Sequence, residues 1–317
     1  MTNLAAEPLN PAHVRYIKLG AGGAWEASAL DHGRLEWGSS NDPHEAAVAA
    51  DWEGARAAYL AQRRAAGTAT GYVRELRDFY TLGADTLWIT FARDHLWWAF
   101  AEPEVIFRGQ QSEGHASRYR RTIGIWRNTD LLGRPLAMTE LSTKLTKVAS
   151  YQQTMCSVEA AQYAVRRING IEEPAVALAK AHYADLVGSI EAIVRQLHWA
   201  DFELLVDLLF ARAGWRRVST LGGTMKNNDL IVEQAATGER ASVQVKSAAD
   251  QRVFDTCVAE FEASPLSNRF FFVCHSPRLS LSEPTSPTRP VHLWTGSKLA
   301  EMVVAQGLSD WLIARAA

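Results

Sequence analysis

The sequence is poor in cysteine and has no long apolar run. Its three cysteines, Cys156, Cys257 and Cys274, are widely spaced and form no CxxC pair. This spacing argues against a disulfide framework and a zinc ribbon, and it is typical of a protein in a reducing cytoplasm. No apolar segment reaches the about 20 residues of a membrane-spanning helix, and the N-terminus lacks the pattern of a signal peptide. We therefore expect a soluble cytoplasmic protein with no membrane partner.

An excess of positive charge is also missing. Lys and Arg total 33 and Asp and Glu total 35, which gives a formal net charge of −2. Without a global basic field, a nucleic-acid site would have to be a local patch. Apolar residues make up 47% and charged residues 21% of the 317 residues, which is the profile of a folded protein. The length corresponds to about two domains.

Patterns along the chain divide it into two domains of different class. Residues 1–12 form a loose N-terminus, 13–170 a first domain, 171–197 a helical linker and 198–317 a second domain. The first domain combines an Ala-rich helical pattern at 44–67 with two aromatic strands around a turn at Arg93-Asp94. It is predicted to be α+β, with a curved sheet or small barrel. The second alternates helices and strands, which predicts an α/β domain with a central mixed sheet.

The stretch "SVQVKS" at 242–247 has the two-residue period of a strand. Gln244 and Lys246 share one face, and Val243 and Val245 share the other. A short turn makes the preceding strand, which begins at Asp229, its predicted hairpin neighbour. An acid, an amide oxygen and a lysine at one end of a hairpin are suited to metal-assisted phosphodiester hydrolysis. The alternative from the spacing alone is a solvated strand face.

A longer stretch around this hairpin resembles a known family. The sequence "DFELLVDLLFARAGWRRVSTLGGTMKNNDLIVEQAATGERASVQVKS" is similar to the Mrr-type branch of the PD-(D/E)XK, or restriction-endonuclease-like, nucleases. The matching elements are Phe202-Glu203, Gly214-Trp215, Asp229 and the Q-x-K motif of Gln244 and Lys246. The resemblance implies Mg²⁺ as the cofactor and Lys246 as a catalytic residue. It also implies Asp229, Gln244 and Glu203 as metal ligands that belong to the catalytic site.

Two features depart from the family pattern. Asn227-Asn228 stand next to Asp229, where Mrr-type nucleases usually have a glycine before the acid. Gln244 is neutral where most of the superfamily has a carboxylate, which leaves less negative charge for a metal. For Glu203, a first-turn acid favoured by the helix dipole is an equal alternative. The histidines at 198, 275 and 292 show no metal-type spacing, and we interpret them as single satisfied histidines.

A nuclease of this type joined to a second domain resembles the modification-dependent restriction enzymes. The first domain is similar in element order to the PUA superfamily, which includes SRA, EVE and YTH readers. This resemblance implies a pocket for a modified, flipped base, which aromatic side chains would enclose. The candidates are Trp25, Trp97, Trp98 and Tyr16. Because Trp97 and Trp98 are adjacent on a strand, one is expected to be core.

A local basic patch is the predicted contact surface for DNA phosphates. Its members are Arg118, Arg120, Arg121, Lys144 and Lys147. The alternative for this patch is an ordinary solvated charged strand.

Together these features predict a type IV-like, modification-dependent restriction endonuclease that cuts double-stranded DNA. Because cutting both strands requires two active sites, we expect a homodimer. One alternative is a repair or junction nuclease with the same core. Another is a non-cleaving nucleic-acid-binding protein with a degenerate nuclease domain.

Overall fold

The computed structural model describes residues 7–218, 230–285 and 287–317. The chain divides into two compact units. The first ends at Glu173, and the second begins at Pro174. The segment 171–197, expected to be a linker, includes the helix α6 (Pro174–Val194). Ile190 and Val194 of this helix are buried in the core of the second unit, so α6 is part of that unit.

The first unit is built on a seven-stranded mixed sheet in the order β2-β6-β4-β3-β1-β7, with β5 also paired to β6. The strands are β1 (His13–Ile17), β2 (Arg34–Trp37), β3 (Thr86–Ala92), β4 (His95–Ala101), β5 (Ile106–Phe107), β6 (Arg118–Arg127) and β7 (Met155–Ser157). Strands β1 and β3 pair in parallel, and the other neighbours are antiparallel. The predicted curved sheet is thus a curled mixed sheet.

Helices cover both faces of this sheet. They are α1 (His44–Val48), α2 (Trp52–Ala61), α3 (Ala66–Thr81), α4 (Thr143–Thr146) and α5 (Ala161–Ile168). Trp88 of β3 packs on one face with Tyr59 and Phe79 of α2 and α3. Its neighbours in sequence, Leu87 and Ile89, pack on the other face with residues of α4 and α5. Because side chains alternate along β3, they contribute to two apolar cores, one on each face of the sheet.

Two local predictions for the first unit have different outcomes. The single helix predicted at 44–67 is wrong, because Ala50 has φ of 55° and interrupts the segment. Asp51 then begins α2 by accepting a hydrogen bond from the backbone N–H of Gly54 at 2.8 Å. The predicted hairpin is confirmed: Arg93 and Asp94 both have positive φ and connect β3 to antiparallel β4.

The second unit has a five-stranded sheet in the order β12-β11-β10-β9-β8. Its remaining elements are α7 (Trp199–Arg212), β8 (Trp215–Arg217), β9 (Leu230–Gln234), β10 (Arg240–Lys246), α8 (Gln251–Ala263), β11 (Arg269–Cys274), β12 (Val291–Trp294), α9 (Gly296–Ala305) and α10 (Ser309–Ala316). Strands β10, β11 and β12 are parallel, whereas β8 and β9 run antiparallel to their neighbours. This is the predicted α/β unit with a central mixed sheet.

In the part of the chain that the structure describes, no helix combines the length and the apolar character needed to cross a membrane.

Candidate functional site

The predicted hairpin of the second unit is present as the β9–β10 pair. Arg240 pairs with Glu233, and the register continues to Val243, which pairs with Leu230. Asp229 lies outside the described residues. In the sequence it directly precedes Leu230, the first residue of β9. Glu233, on β9, forms ion pairs with Arg216 and Arg240, and the hydrogen bonds from these two arginines lower its pKa.

The two faces of β10 have the predicted division of side chains. Val243 and Val245 belong to the buried cluster that includes α7. Gln244 lies opposite Phe272 in the parallel ladder, and Phe272 packs on the other face with α8. Residues paired in a ladder project to the same face, so Gln244 and Lys246 are on the α8 side. This face is not simply solvated, because the Gln244 side chain is only 5% exposed.

Lys246 is the last residue of β10 and is half-buried. It lies opposite Cys274, which ends β11. An ammonium group at the end of two adjacent parallel strands lies at the strands' carboxyl edge, where open α/β sheets bind ligands. A half-buried lysine at this edge is suited to contact a phosphate.

Glu203 projects from the first turns of α7 and is half-buried. Its neighbour Phe202 is buried and packs edge-on against His275, with ring centroids 4.5 Å apart. Phe202 therefore anchors the helix turn that carries Glu203. As metal ligands, Glu203 would offer a carboxylate oxygen and Gln244 an amide oxygen. Oxygen atoms are the ligands that Mg²⁺ prefers. Among the described residues, which exclude Asp229, no group of three or more His, Cys, Asp or Glu side chains could hold a metal ion.

The three predicted structural histidines differ in their hydrogen bonding. His198 caps α7, where its Nδ1 accepts from the N–H of Ala200. Nδ1 of His275 contacts Ser276 Oγ at 2.8 Å, but its buried Nε2 has no hydrogen-bond partner among the described residues, and neither does Nε2 of His292. The interpretation as fully satisfied histidines thus needs correction for His275 and His292. Burial lowers the pKa of both imidazoles and favours their neutral forms.

The first unit contains a cavity of ≈ 510 Å³ beside the glycine-rich turn that follows β1. Two predicted base-binding residues, Tyr16 and Trp25, line it together with Phe91. A Cβ at Gly20, whose φ is +82°, would lie 2.9 Å from Cδ2 of Trp25, so glycine is needed there for the indole to pack on the turn. Burial raises the pKa of Tyr16 to about 12, and its phenol stays neutral.

Trp97 and Trp98 are not among the residues that line this cavity. Trp98 is buried and donates its indole N–H to the carbonyl of Thr129 at 2.8 Å. Trp97 packs against the opposite core and donates to the carbonyl of Ala92 at 2.9 Å. The two side chains project to opposite faces, as expected from the strand, and both serve packing. Their candidate role in base binding is corrected accordingly.

The predicted basic patch separates into buried and exposed members. Arg118 is fully buried and donates to the carbonyls of Ser39 and Asp42. Arg120 is also fully buried, and burial lowers its pKa to about 10. Neither guanidinium reaches the surface, so their predicted role in phosphate binding is wrong. Arg121, Lys144 and Lys147 are exposed and remain candidates for that role.

Sequence reasoning missed the polar side chains around the cavity. Those that line it are Lys18, Glu26, Thr90, Gln152 and Gln153. The segment 149–154 is far in sequence from the turn at 20–23, and no motif connects the two. The only local signal was the pair of adjacent glutamines.

The geometry of the second unit is that of an α/β domain with a lysine and an amide at the carboxyl edge of its sheet. Residues 194–303 match the family model Mrr_cat, described as a restriction endonuclease. This part of the chain is therefore a restriction endonuclease domain, which confirms the resemblance found in the sequence.

Two solved structures are similar to larger parts of the chain. The DNA modification-dependent restriction endonuclease AspBHI has a TM-score of 0.31 and 11% identity, and the match covers 72% of this chain and 68% of that one. The MspJI restriction endonuclease in complex with a 27-mer oligonucleotide has a TM-score of 0.28 and 15% identity, with 78% and 68% covered. No curated protein matches the chain.

Proposed function

We propose that the protein is a Mg²⁺-dependent, type IV-like restriction endonuclease that hydrolyses double-stranded DNA carrying modified bases. The placement of Gln244 and Lys246 at the carboxyl end of β10, inside the matched segment 194–303, carries the nuclease part of this proposal. Asp229, Gln244 and Glu203 would hold the metal. When bound, Mg²⁺ supplies Lewis-acid polarisation of the scissile phosphate and lowers the pKa of a bound water.

The protein's own residues contribute positioning and charge. The Lys246 ammonium donates a hydrogen bond to a non-bridging phosphate oxygen and offsets the charge that develops there during attack. Gln244 would coordinate the metal through its side-chain oxygen, and burial opposite Phe272 in the ladder restricts the positions open to that oxygen. Because each site cuts one strand, we infer that two copies of the chain act together on a duplex.

The first unit would select the substrate. A cavity of ≈ 510 Å³ with three aromatic walls is suited to a flat ligand, and its volume is within the about 300–1,000 Å³ of ligand pockets. We infer that Tyr16 and Trp25 enclose a flipped, modified base there. Exposed Arg121, Lys144 and Lys147 would contact phosphates. Lys147 pairs with Glu159, but both are exposed, and such a pair is easily exchanged for a DNA contact.

The test compares cleavage of duplexes with and without modified cytosine or adenine, in Mg²⁺ and in EDTA, by the wild type and by Lys246→Ala. We expect metal-dependent cleavage of modified duplexes by the wild type only. Equal cleavage of unmodified DNA would favour a repair or junction nuclease. No cleavage under any condition, with DNA binding retained, would favour a non-cleaving binding protein, for which the neutral Gln244 is the observation in support.

A further inference from the structure

The amide of Gln153 is held in one orientation at the wall of the first unit's cavity. Nη2 of Arg74 donates to the hydroxyl of Tyr151 at 3.0 Å, and that hydroxyl donates to Oε1 of Gln153 at 2.8 Å. A guanidinium can only donate, so the hydroxyl accepts from Arg74 and its single proton goes on to Gln153. In this chain of hydrogen bonds, the amide atom that contacts the Tyr151 hydroxyl is the oxygen, Oε1. The NH₂ group of Gln153 is therefore not bonded to Tyr151.

Helix α3 makes room for this amide with a glycine. A Cβ at Gly71 would lie 2.5 Å from Nε2 and 3.3 Å from Cδ of Gln153. Glycine inside a helix is unfavourable relative to alanine, and Gly71 needs no unusual φ, so the close approach of Gln153 explains its presence. Gly67 in the same helix has no atom within 4 Å of its Cβ position and does not share this constraint.

We propose that Gln153 is a specificity-determining residue that donates its amide N–H to an acceptor atom on the edge of the bound base. The inference rests on the proposed reader function. Because Oε1 already accepts from Tyr151, a hydrogen bond from Gln153 to an occupant of the cavity is donated by Nε2. Lys18, which also lines the cavity, can likewise only donate. The proposed occupant is a base that stacks on Tyr16 and Trp25 and presents carbonyl oxygens or unprotonated ring nitrogens to these two donors. Glu26, Thr90 and Gln152, which line the same cavity, bring acceptor oxygens for the donor groups of that base.

The deciding variant is Gln153→Glu, which keeps the shape and the Tyr151 contact but replaces the donor with an acceptor. Binding is measured in EDTA with the full chain and duplexes carrying one 5-methylcytosine, one 5-hydroxymethylcytosine, one N6-methyladenine or no modification. We expect the wild type to prefer a modified duplex, and Gln153→Glu to reduce that preference about tenfold or more. Gln162→Glu adds the same charge at an exposed position on α5 and should keep the preference.

Two further variants test the orientation of the Gln153 amide and the close approach of that amide to helix α3. Tyr151→Phe removes the hydroxyl that fixes Oε1 and should reduce the preference. Gly71→Ala should displace the amide and reduce it as well, whereas Gly67→Ala should not. Thermal melts check that each variant is folded.

The outcomes separate the inference from the function on which it rests. The wild type and the variants Gln153→Glu and Gly71→Ala could all prefer the modified duplex to the same degree. That result would overturn the role of Gln153 and leave the reader function intact. Equal binding of all four duplexes by the wild type would overturn the reader function and the inference together.

Discussion

Val243 on β10 pairs with Leu230 on β9 in the antiparallel ladder of the second unit. In the sequence, Gln244 follows Val243, and Asp229, which lies outside the described residues, precedes Leu230. Lys246 lies two residues beyond Gln244 on the same face of β10. Of the predicted site residues, Gln244 and Lys246 thus lie on one face of the strand that carries this pair.

Replacing Lys246 with alanine should abolish most cleavage while leaving DNA binding nearly intact. The ammonium offsets charge that develops on the phosphate during attack, and loss of one such donor costs about 100- to 1,000-fold in rate. Single-turnover cleavage and equilibrium binding, measured on the same duplex, check this expectation. Lys298→Ala on α9, an exposed lysine paired with Glu301, is the matched control. A Lys246→Ala variant that cuts at the wild-type rate would remove this residue from the mechanism.

Replacing Gln244 with glutamate should lower the Mg²⁺ concentration needed for half-maximal cleavage. The substitution restores the carboxylate of most related nucleases, and metal affinity rises with the charge of the ligands. Because position 244 is 5% exposed, the new carboxylate should also destabilise the metal-free protein. Melting temperatures in EDTA and in Mg²⁺ should therefore differ more for the variant than for the wild type. An unchanged Mg²⁺ dependence would argue against Gln244 as a ligand.

The hairpin of the nuclease domain was predictable because its signals are local. The period of two in β10 separates Val243 and Val245 from Gln244 and Lys246 whatever the rest of the fold does. The turn chemistry at Arg93-Asp94 is likewise contained in a few residues. What the strand pattern could not show is that α8 covers the Gln244 side, since that requires knowing where a later helix packs.

The burial of Arg118 and Arg120 on β6 could not be predicted either, because it also depends on contacts with segments that are distant in the sequence. Arginine in a strand usually lies at the surface, but Arg120 is buried because three carbonyls from other segments accept its hydrogen bonds. Those acceptors, on Phe79, Ala101 and Glu102, are not recognisable as partners in the sequence. The cavity is a similar case, because its walls come from β1, β3 and the segment 149–154.

Arg120 and Arg121 should respond to substitution in opposite ways. Arg120→Met leaves three carbonyls without their donor and removes the guanidinium from the face of Trp88. We expect it to lower the free energy of unfolding by about 3 kcal/mol or more. Arg121→Ala at the exposed neighbouring position should leave stability within about 0.5 kcal/mol. It should instead weaken DNA binding. The slope of the logarithm of the binding constant against the logarithm of the salt concentration should become shallower by about one.

Denaturant titrations and binding isotherms at several salt concentrations separate these two effects. A stable Arg120→Met variant with weakened DNA binding would reverse our assignment and return Arg120 to the contact surface. An Arg121→Ala variant with an unchanged salt slope would remove Arg121 from that surface.

Glu75 on α3 gives the first unit a pH-dependent stability. Its side chain is 1% exposed, and burial raises its pKa to about 7. The folded protein therefore binds this proton more tightly than the unfolded chain does. Between the ordinary pKa of a glutamate and pH 7, the contribution of Glu75 to the free energy of unfolding falls as pH rises, because the buried carboxyl must ionise.

Glu75→Gln should remove this pH dependence, since glutamine stays neutral at every pH. The variant and the wild type should melt together near pH 4.5, where both side chains are uncharged in the folded state. By pH 8 the variant should be more stable by on the order of 3 kcal/mol. Thermal melts across this range give the difference directly, and Glu53→Gln, at an exposed site on α2, is the control. A difference in melting temperature that stays constant from pH 4.5 to 8 would show that Glu75 does not ionise in the folded protein over that range.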